Sequence, residues 1–345
     1  MILALTEAQV AVRELFAGLF AKEATPERVR SAEPLGFDPA LWEHVIATGA
    51  LGVAVAEDAG GAGAGVLEMA LIAVEVGRRL APVPFPETAA AARLLARCGA
   101  TELLGDALEG RLIVSLARAP LGEGGGALEG QLLTDGAVAE VVVGLRGDEI
   151  VAVRRPPEVR LVANLGSLPM ARWNVAHADV LAAGDGPRGW FAAALDEVRV
   201  LRAAALIGLA EEAIEIGAAY ARERRAFGIP IGTYQAVAHP LADALVAKDG
   251  GKLLVWKASW ALESGQPDGP GLSAMAFVFA AETAYRAAQH SLHIHGGYGF
   301  TAEYDIQLYY RRAQAWATVF ADPRRELQVV ADRAFGPLST AQGAG

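Results

Sequence analysis

Cysteine is almost absent: Cys98 is the single one in 345 residues. One thiol cannot close an intramolecular disulfide, and it cannot supply the cysteine sets of a structural zinc or iron–sulfur site. A reducing cytoplasm is the compartment this composition fits. A basic excess is absent as well. Thirty Lys and Arg stand against 40 Asp and Glu, a formal charge of −10, so no cationic surface offsets the repulsion of a nucleic-acid backbone. Long uninterrupted apolar runs are also missing. Apolar residues make up 53% of the chain, but charges break the alanine-rich stretches before they could span a bilayer. The start, Met1-Ile2-Leu3-Ala4-Leu5-Thr6-Glu7, lacks the basic segment and apolar run of a secretory signal. His239 and His290 have no acidic or histidine companions at ligand spacing, so no metal site is expected.

What is abundant is alanine and leucine, which favours helix. Thr6 is placed to cap a helix through Ala21, with apolar Val10, Val12, Leu15, Phe16 and Leu19. Further helices are expected over 39–48, 66–80 and 87–98, with Ala81-Pro82-Val83-Pro84-Phe85-Pro86 as a break. Near Arg111 the texture changes. Short β-prone runs occupy 112–116, 141–143, 149–153 and 159–162, separated by turns such as Gly122-Glu123-Gly124-Gly125-Gly126. From Ala192 the pattern is helical again, over roughly 192–223, 235–263, 272–293 and 304–320, with a short last helix over 323–333. Pro240 and Gly250-Gly251 should weaken or bend the second of these. The expected fold is mostly α with a small central β domain. It has an N-terminal helical domain (1–110), a β-barrel-like middle domain (111–185) and a C-terminal four-helix bundle (186–345).

Two stretches stand out. One is Arg224-Arg225-Ala226-Phe227-Gly228-Ile229-Pro230-Ile231, followed by Gln235, His239 and Ala242-Asp243. The other is His293-Ile294-His295-Gly296-Gly297-Tyr298-Gly299-Phe300-Thr301, with Glu303 behind it. Each puts a glycine break at the end of a long apolar helix. On its own Arg224 reads equally as a solvated helix-end charge, and Gly296-Gly297 as an ordinary helix C-cap.

In this order, and with Leu41-Trp42, Gly49, the Glu57…Gly60-Gly61-Ala62-Gly63 loop, Glu75-Val76-Gly77-Arg78 and Pro82 before them, these motifs resemble the acyl-CoA dehydrogenase family. The resemblance runs over nearly the whole chain. It is strongest from Arg199 to Arg312 and weakest in the β domain. It implies an FAD cofactor and an acyl-CoA substrate. It further implies that Arg224 forks onto the pyrophosphate of a flavin held by a neighbouring subunit. Phe227 and Gln235 would serve the same nucleotide, and Gly296, Gly297 and Gly299 would let the backbone approach its adenosine diphosphate. His293 stands where the family commonly has glutamine, and His295 is expected to pack in the turn.

The resemblance also exposes a gap. Members of the family remove a proton from the α carbon with a carboxylate while hydride leaves the β carbon for the flavin. The usual place for that glutamate falls on Phe320, and the less common place on Val198. The nearest carboxylates are Asp322, two positions past the first place, and Glu197, one before the second. The Thr-Glu…Gly-Ser-Asp segment that holds the flavin ring is missing. Ser115-Leu116-Ala117-Arg118-Ala119-Pro120 stands there instead, with the Ser115 hydroxyl as the one substitute.

Two readings follow. The chain is a non-catalytic subunit paired with a catalytic homologue, as in bacterial acyl-CoA dehydrogenases that act on steroid side chains. Alternatively it is a self-sufficient homotetramer with Asp322 or Glu197 as a displaced base. A helical scaffold that binds no flavin is a third reading, and Arg224, Gln235 and the glycine turn count against it. In the first two an oligomer is expected, a tetramer built as a dimer of dimers, because helices apolar on several faces need a partner to cover them.

Overall fold

The computed structural model describes residues 4–121, 131–175 and 177–336. The Gly122–Gly126 turn lies outside the described residues. The chain opens with helices α1 (Glu7–Glu23), α2 (Pro26–Ser31), α3 (Pro39–Ala47), α4 (Val66–Arg78), α5 (Phe85–Arg97) and α6 (Thr101–Leu108). Thr6 does cap α1: its hydroxyl accepts from the Gln9 amide while the Gln9 side chain accepts from the Thr6 amide. The helix then buries Phe16 and Phe20. Helix α4 ends two residues before the expected Leu80. Leu80 itself adopts φ 51°, which breaks the helix and turns the chain into the proline-rich segment.

The middle of the chain forms two small sheets. One takes β1 (Val114–Leu116), β3 (Val141–Arg146), β4 (Glu149–Arg154) and β7 (Asp179–Ala182) in the order β1-β3-β4-β7. The other takes β2 (Gln131–Leu133), β6 (Ala171–Trp173) and β5 (Arg160–Leu161) in the order β2-β6-β5. β1 pairs parallel to β3, and β3 and β4 form a hairpin closed by Gly147 at φ 57°. Strands β2, β6 and β7 were not legible, because three or four residues carry too little alternation to read.

The rest is helical: α7 (Pro187–Glu223), α8 (Gln235–Glu263), α9 (Gly269–His295), α10 (Ile306–Phe320) and α11 (Pro323–Phe335). A two-residue-per-strand hairpin, β8 (Arg225–Ala226) with β9 (Ile229–Pro230), joins α7 to α8. Helix α7 is the spine. It is about 55 Å long at 1.5 Å per residue and packs against α4, α5, α8, α9 and α10. It has no single apolar face because every side of its middle meets another helix. Helix α8 continues through Pro240 and Gly250-Gly251. Gly251 is there for packing: a Cβ on it would lie 2.4 Å from Ile207 Cδ1.

Helices α4 and α7 cross at bare backbone. A Cβ on Gly77 would stand 1.8 Å from the Ala205 carbonyl oxygen, and one on Gly208 would stand 1.9 Å from that of Val74. Gly208→Ala therefore sets two effects against each other. Alanine gains about 1 kcal/mol of helix propensity, but a backbone carbonyl cannot rotate aside, and overpacking costs about 1–3 kcal/mol or more. Overpacking wins. The expected result is a lower denaturant midpoint at unchanged slope, measured by equilibrium unfolding.

Large apolar side chains remain exposed on the outer face of the bundle. Leu245, Val246, Leu253 and Trp260 of α8 and Phe279 of α9 are all open to solvent, Val246 at 73%. Among the described residues no helix is long and apolar enough to cross a membrane, and no group of three or more His, Cys, Asp or Glu is placed to hold a metal ion.

Candidate functional site

The two expected base places are both apolar and both buried. Val198 sits in the middle of α7 with no exposed surface. Phe320, the last residue of α10, meets Phe277 of α9 edge-on at 4.9 Å between ring centroids. Two guanidinium groups lie over its ring, that of Arg118 at 5.4 Å and that of Arg199 at 6.0 Å. Arg199 also donates to Asp196 on its own helix and to Glu326 on α11, which fixes α11 against the spine.

The two displaced carboxylates point elsewhere. Residues two apart on a helix differ by about 200°, so with Arg199 facing Phe320, Glu197 faces the opposite side of α7. There it approaches Arg93 of α5 at 3.6 Å, and its Oε2 is buried without a hydrogen-bond partner. Burial pushes its carboxyl up to about 7, against the pull of Arg93 and Arg97. Asp322 caps the N-terminus of α11 by accepting from the Arg324 amide at 3.0 Å. It is thus the start of a helix and not the end of a turn. It opens onto an outer groove of about 690 Å³ between α9, α10 and α11, alongside Tyr285, Gln314 and Thr318.

The place expected for the flavin ring holds an internal polar network. The Ser115 hydroxyl donates to Asp135 Oδ2 at 2.7 Å, with both residues buried. Beside them Arg202 of α7 donates Nε and Nη2 to Oε1 of Glu87 on α5, at 2.9 and 2.6 Å. Arg118 makes no hydrogen bond among the described residues, but burial and the nearby Arg202 and Arg199 press its pKa down to about 10 while Glu87 and Glu326 hold it up. The cavity at this junction of α4, α5, α7, α10 and the middle domain has a volume of only about 30 Å³, enough for one water. Ligand cavities run to several hundred Å³. Among the described residues, that cavity is too small for a flavin ring. Sequence reasoning missed Glu87, Asp135 and Arg202. Thr134-Asp135-Gly136 reads as a turn and Glu87 as a first-turn acid. Nothing in either stretch signals its partner, Ser115 at 20 residues from Asp135 and Arg202 at 115 from Glu87.

The two motif stretches come together at one end of the bundle. Helices α7 and α9 finish side by side: the Tyr220 ring stacks on His295 at 4.1 Å, and Ser291 Oγ donates to the Ala213 carbonyl. His295 accepts or donates at its own helix backbone, Nδ1 to Ser291 O at 2.6 Å, and burial lowers its pKa. It packs in the turn, as its sequence context implies. Arg224 follows the last residue of α7, exposed and without an ion pair among the described residues. The hairpin then carries Phe227 out at φ 54° and 98% exposure. Gln235 opens α8 and is exposed, as is His293 on the last turn of α9. Of the glycines, Gly296 has φ 60° and ψ −140°, a conformation that only glycine adopts freely. Gly299 is tight: a Cβ would stand 2.8 Å from the Leu292 carbonyl. Gly297 has open space and no positive φ, so its lack of a side chain only keeps the surface bare. Among the described residues, cationic and polar donors thus stand unpaired next to bare backbone, a surface suited to a phosphate-bearing ligand held from outside.

Comparison with known proteins gives the family. The family model of the acyl-CoA dehydrogenase N-terminal domain matches residues 6–109, and that of the acyl-CoA dehydrogenase C-terminal domain matches residues 188–319. The chain is 29% identical over 333 residues to acyl-CoA dehydrogenase IpdE2 of Mycolicibacterium smegmatis, covering 94% of this chain and 98% of that one. It is 32% identical over 329 residues to acyl-CoA dehydrogenase FadE27 of Mycobacterium tuberculosis, covering 84% and 87%. Among solved structures, the ChsE4-ChsE5 complex from Mycobacterium tuberculosis superposes with a TM-score of 0.84 at 29% identity, covering 98% of this chain and 100% of the other. With two family models and a relative at 32% identity over most of its length, the chain belongs to the acyl-CoA dehydrogenase family.

Proposed function

We propose that this chain is the non-catalytic partner subunit of a mixed acyl-CoA dehydrogenase. One observation carries the reading. At the junction where a catalytic member would need room for ligand and a free carboxylate, there is a cavity of about 30 Å³ and a Phe320 ring clamped by Phe277, Arg118 and Arg199. The opposite end of the bundle keeps Arg224, Phe227, Gln235 and His293 exposed beside the Gly296–Gly299 turn. In this reading those residues grip the adenosine diphosphate of an FAD whose ring lies in the homologous catalytic subunit. The bound flavin supplies hydride acceptance for an acyl-CoA there. This chain's part is to bind and orient the nucleotide and to complete the assembly, a cytoplasmic tetramer. The exposed apolar residues of α8 and α9 fit burial in that assembly. The division at 1–110, 111–185 and 186–345 belongs to the same reading. So does the likeness to a two-subunit complex, that of ChsE4-ChsE5.

The test is co-expression with a homologous catalytic subunit. The complex is expected to hold flavin and this chain alone to hold little. Arg224→Ala in the complex removes charge-assisted hydrogen bonds worth about 1.5–3 kcal/mol, so flavin affinity should fall about 10- to 150-fold. Flavin titration of the complex checks it. Unchanged affinity removes Arg224 from the nucleotide contact, and full flavin occupancy in the isolated chain overturns the reading as a whole.

A further inference from the structure

A tether from the N-terminal helices reaches the chain just after the Gly296–Gly299 turn. Arg30, next to the last residue of α2, donates Nε to the Ala302 carbonyl at 3.2 Å and Nη2 to Asp305 Oδ1 at 2.6 Å. Among the described residues, no other side chain from a distant part of the chain hydrogen-bonds to residues 301–305; their remaining hydrogen bonds are local, within three residues. Asp305 precedes α10, and its side chain makes no capping bond to that helix. Helix α2 is a firm anchor. Thr25 caps it, Val29 is buried, and Arg28 bonds to both Glu23 and Asp38. Three residues past Arg30, Glu33 accepts from Arg311 at 2.8 Å and pairs with Arg312 at 2.9 Å. Two ion pairs of opposite polarity thus pin the start of α10 to the N-terminal helices.

Between the two residues that Arg30 holds lies Tyr304. Its ring meets His295 edge-on at 5.9 Å and Tyr298 at 5.7 Å between centroids. His295 stacks in turn on Tyr220 of α7. Tyr298 belongs to the turn itself, beside Gly297 and Gly299. Fixing the backbone on both sides of Tyr304 therefore fixes the ring against which the turn rests.

We propose that Arg30 is a positioning residue for the Gly296–Gly299 turn. By holding Ala302 and Asp305 it sets Tyr304 against Tyr298 and keeps the turn's backbone in one arrangement. This rests on the reading above, in which that turn grips the adenosine diphosphate of FAD. A turn left loose has to be ordered when the nucleotide binds, and that entropy is taken from affinity. Arg30 removes the cost beforehand, without touching the ligand. A lysine would keep the charge but could not fork onto both acceptors.

Two measurements test it, one with the chain alone and one with the complex formed with a homologous catalytic subunit. The first is amide hydrogen exchange. In Arg30→Ala, exchange over residues 296–305 should be about fivefold faster, the most that a partly solvated ion pair holds closed. Asp305→Ala should do the same, and the double variant no more than either. The second is flavin titration of the complex, in which Arg30→Ala should lower affinity by the same factor of about five, since the turn must be closed again on binding. Arg146→Ala is the control. It breaks a pair of matching exposure, to Glu149 in the β3–β4 hairpin, and should move neither readout. Unchanged exchange in Arg30→Ala overturns the tether. Faster exchange with unchanged flavin affinity, in a complex that Arg224→Ala does weaken, overturns the positioning role and leaves the nucleotide reading standing. If neither Arg30→Ala nor Arg224→Ala changes affinity, the nucleotide contact itself is wrong and Arg30 has nothing to position. Equal effects from Arg146→Ala mean that Arg30 only adds stability, which also overturns the proposal.

Discussion

Arg202→Met is expected to destabilise the chain by about 3–5 kcal/mol, the cost of leaving one member of a buried ion pair uncompensated. Arg202 and Glu87 are both buried, Glu87 completely. Removing the guanidinium takes away both hydrogen bonds to Oε1 in a side chain whose Oε2 has no other donor within the pair. The double variant Glu87→Met with Arg202→Met is the control. It replaces the pair by apolar volume and should return most of the stability, since the pair as a whole is worth little against a well-packed core. The exposed counterpart behaves differently. Arg78 reaches Glu211, Glu212 and Glu215 on α7 from the end of α4, yet these are partly solvated contacts worth about 0–1 kcal/mol each. Equilibrium unfolding of the three variants separates the cases. If Arg202→Met costs no more than Arg78→Ala, the junction network is not a structural lock.

The parts of this molecule that sequence made legible are those with a long period or a local rule. Helix α7 runs from Pro187 to Glu223 against an expected 192–223, because apolar residues persist through it and Arg224-Arg225 with Gly228 mark its end. Thr6 and Gln9 satisfy each other within four residues, so the start of α1 could be read directly. Short elements were not readable. Helix α2 has six residues and β6 has three, and tertiary packing rather than local pattern decides them. The same division holds at the site. That the two expected base places hold Phe320 and Val198 could be found by counting along the chain. What surrounds those side chains could not. Phe320 is clamped by Arg118, two hundred residues earlier, and Glu87 is bonded by Arg202 across 115 positions. No periodicity links such pairs. Even the adjacency of the two conspicuous motifs is a product of the fold: they become one surface because α7 and α9 end together at the Tyr220–His295 stack.

Phe320→Glu, tested in the isolated chain, is expected to give no acyl-CoA dehydrogenation even though it puts a carboxylate at the place where sequence resemblance expects the base. Three local facts decide this. A general base is worth about 10²–10⁴ in rate only if it is free to take a proton. Here Arg118 and Arg199, each within 6.0 Å of the present ring, would pair with the new carboxylate and hold its pKa down. The junction cavity, at about 30 Å³, admits neither an acyl group nor a flavin ring. The Ser115 hydroxyl, the one residue left to hold such a ring, is spent on Asp135. Mixed with a catalytic homologue, wild-type chain should instead yield a complex at least about 10²-fold more active than either this chain or its Phe320→Glu variant alone. The measurement is acyl-CoA-dependent reduction of an artificial electron acceptor by each preparation at equal chain concentration. Turnover by the wild-type chain alone would overturn the partner-subunit reading. Glu197→Gln and Asp322→Asn would then locate the base: Glu197 has the burial and raised pKa of a proton acceptor but faces Arg93 across α7 from Phe320, whereas Asp322 is solvent-exposed and already spent on the α11 amide. A rate loss of about 10²-fold or more in one and not the other identifies it.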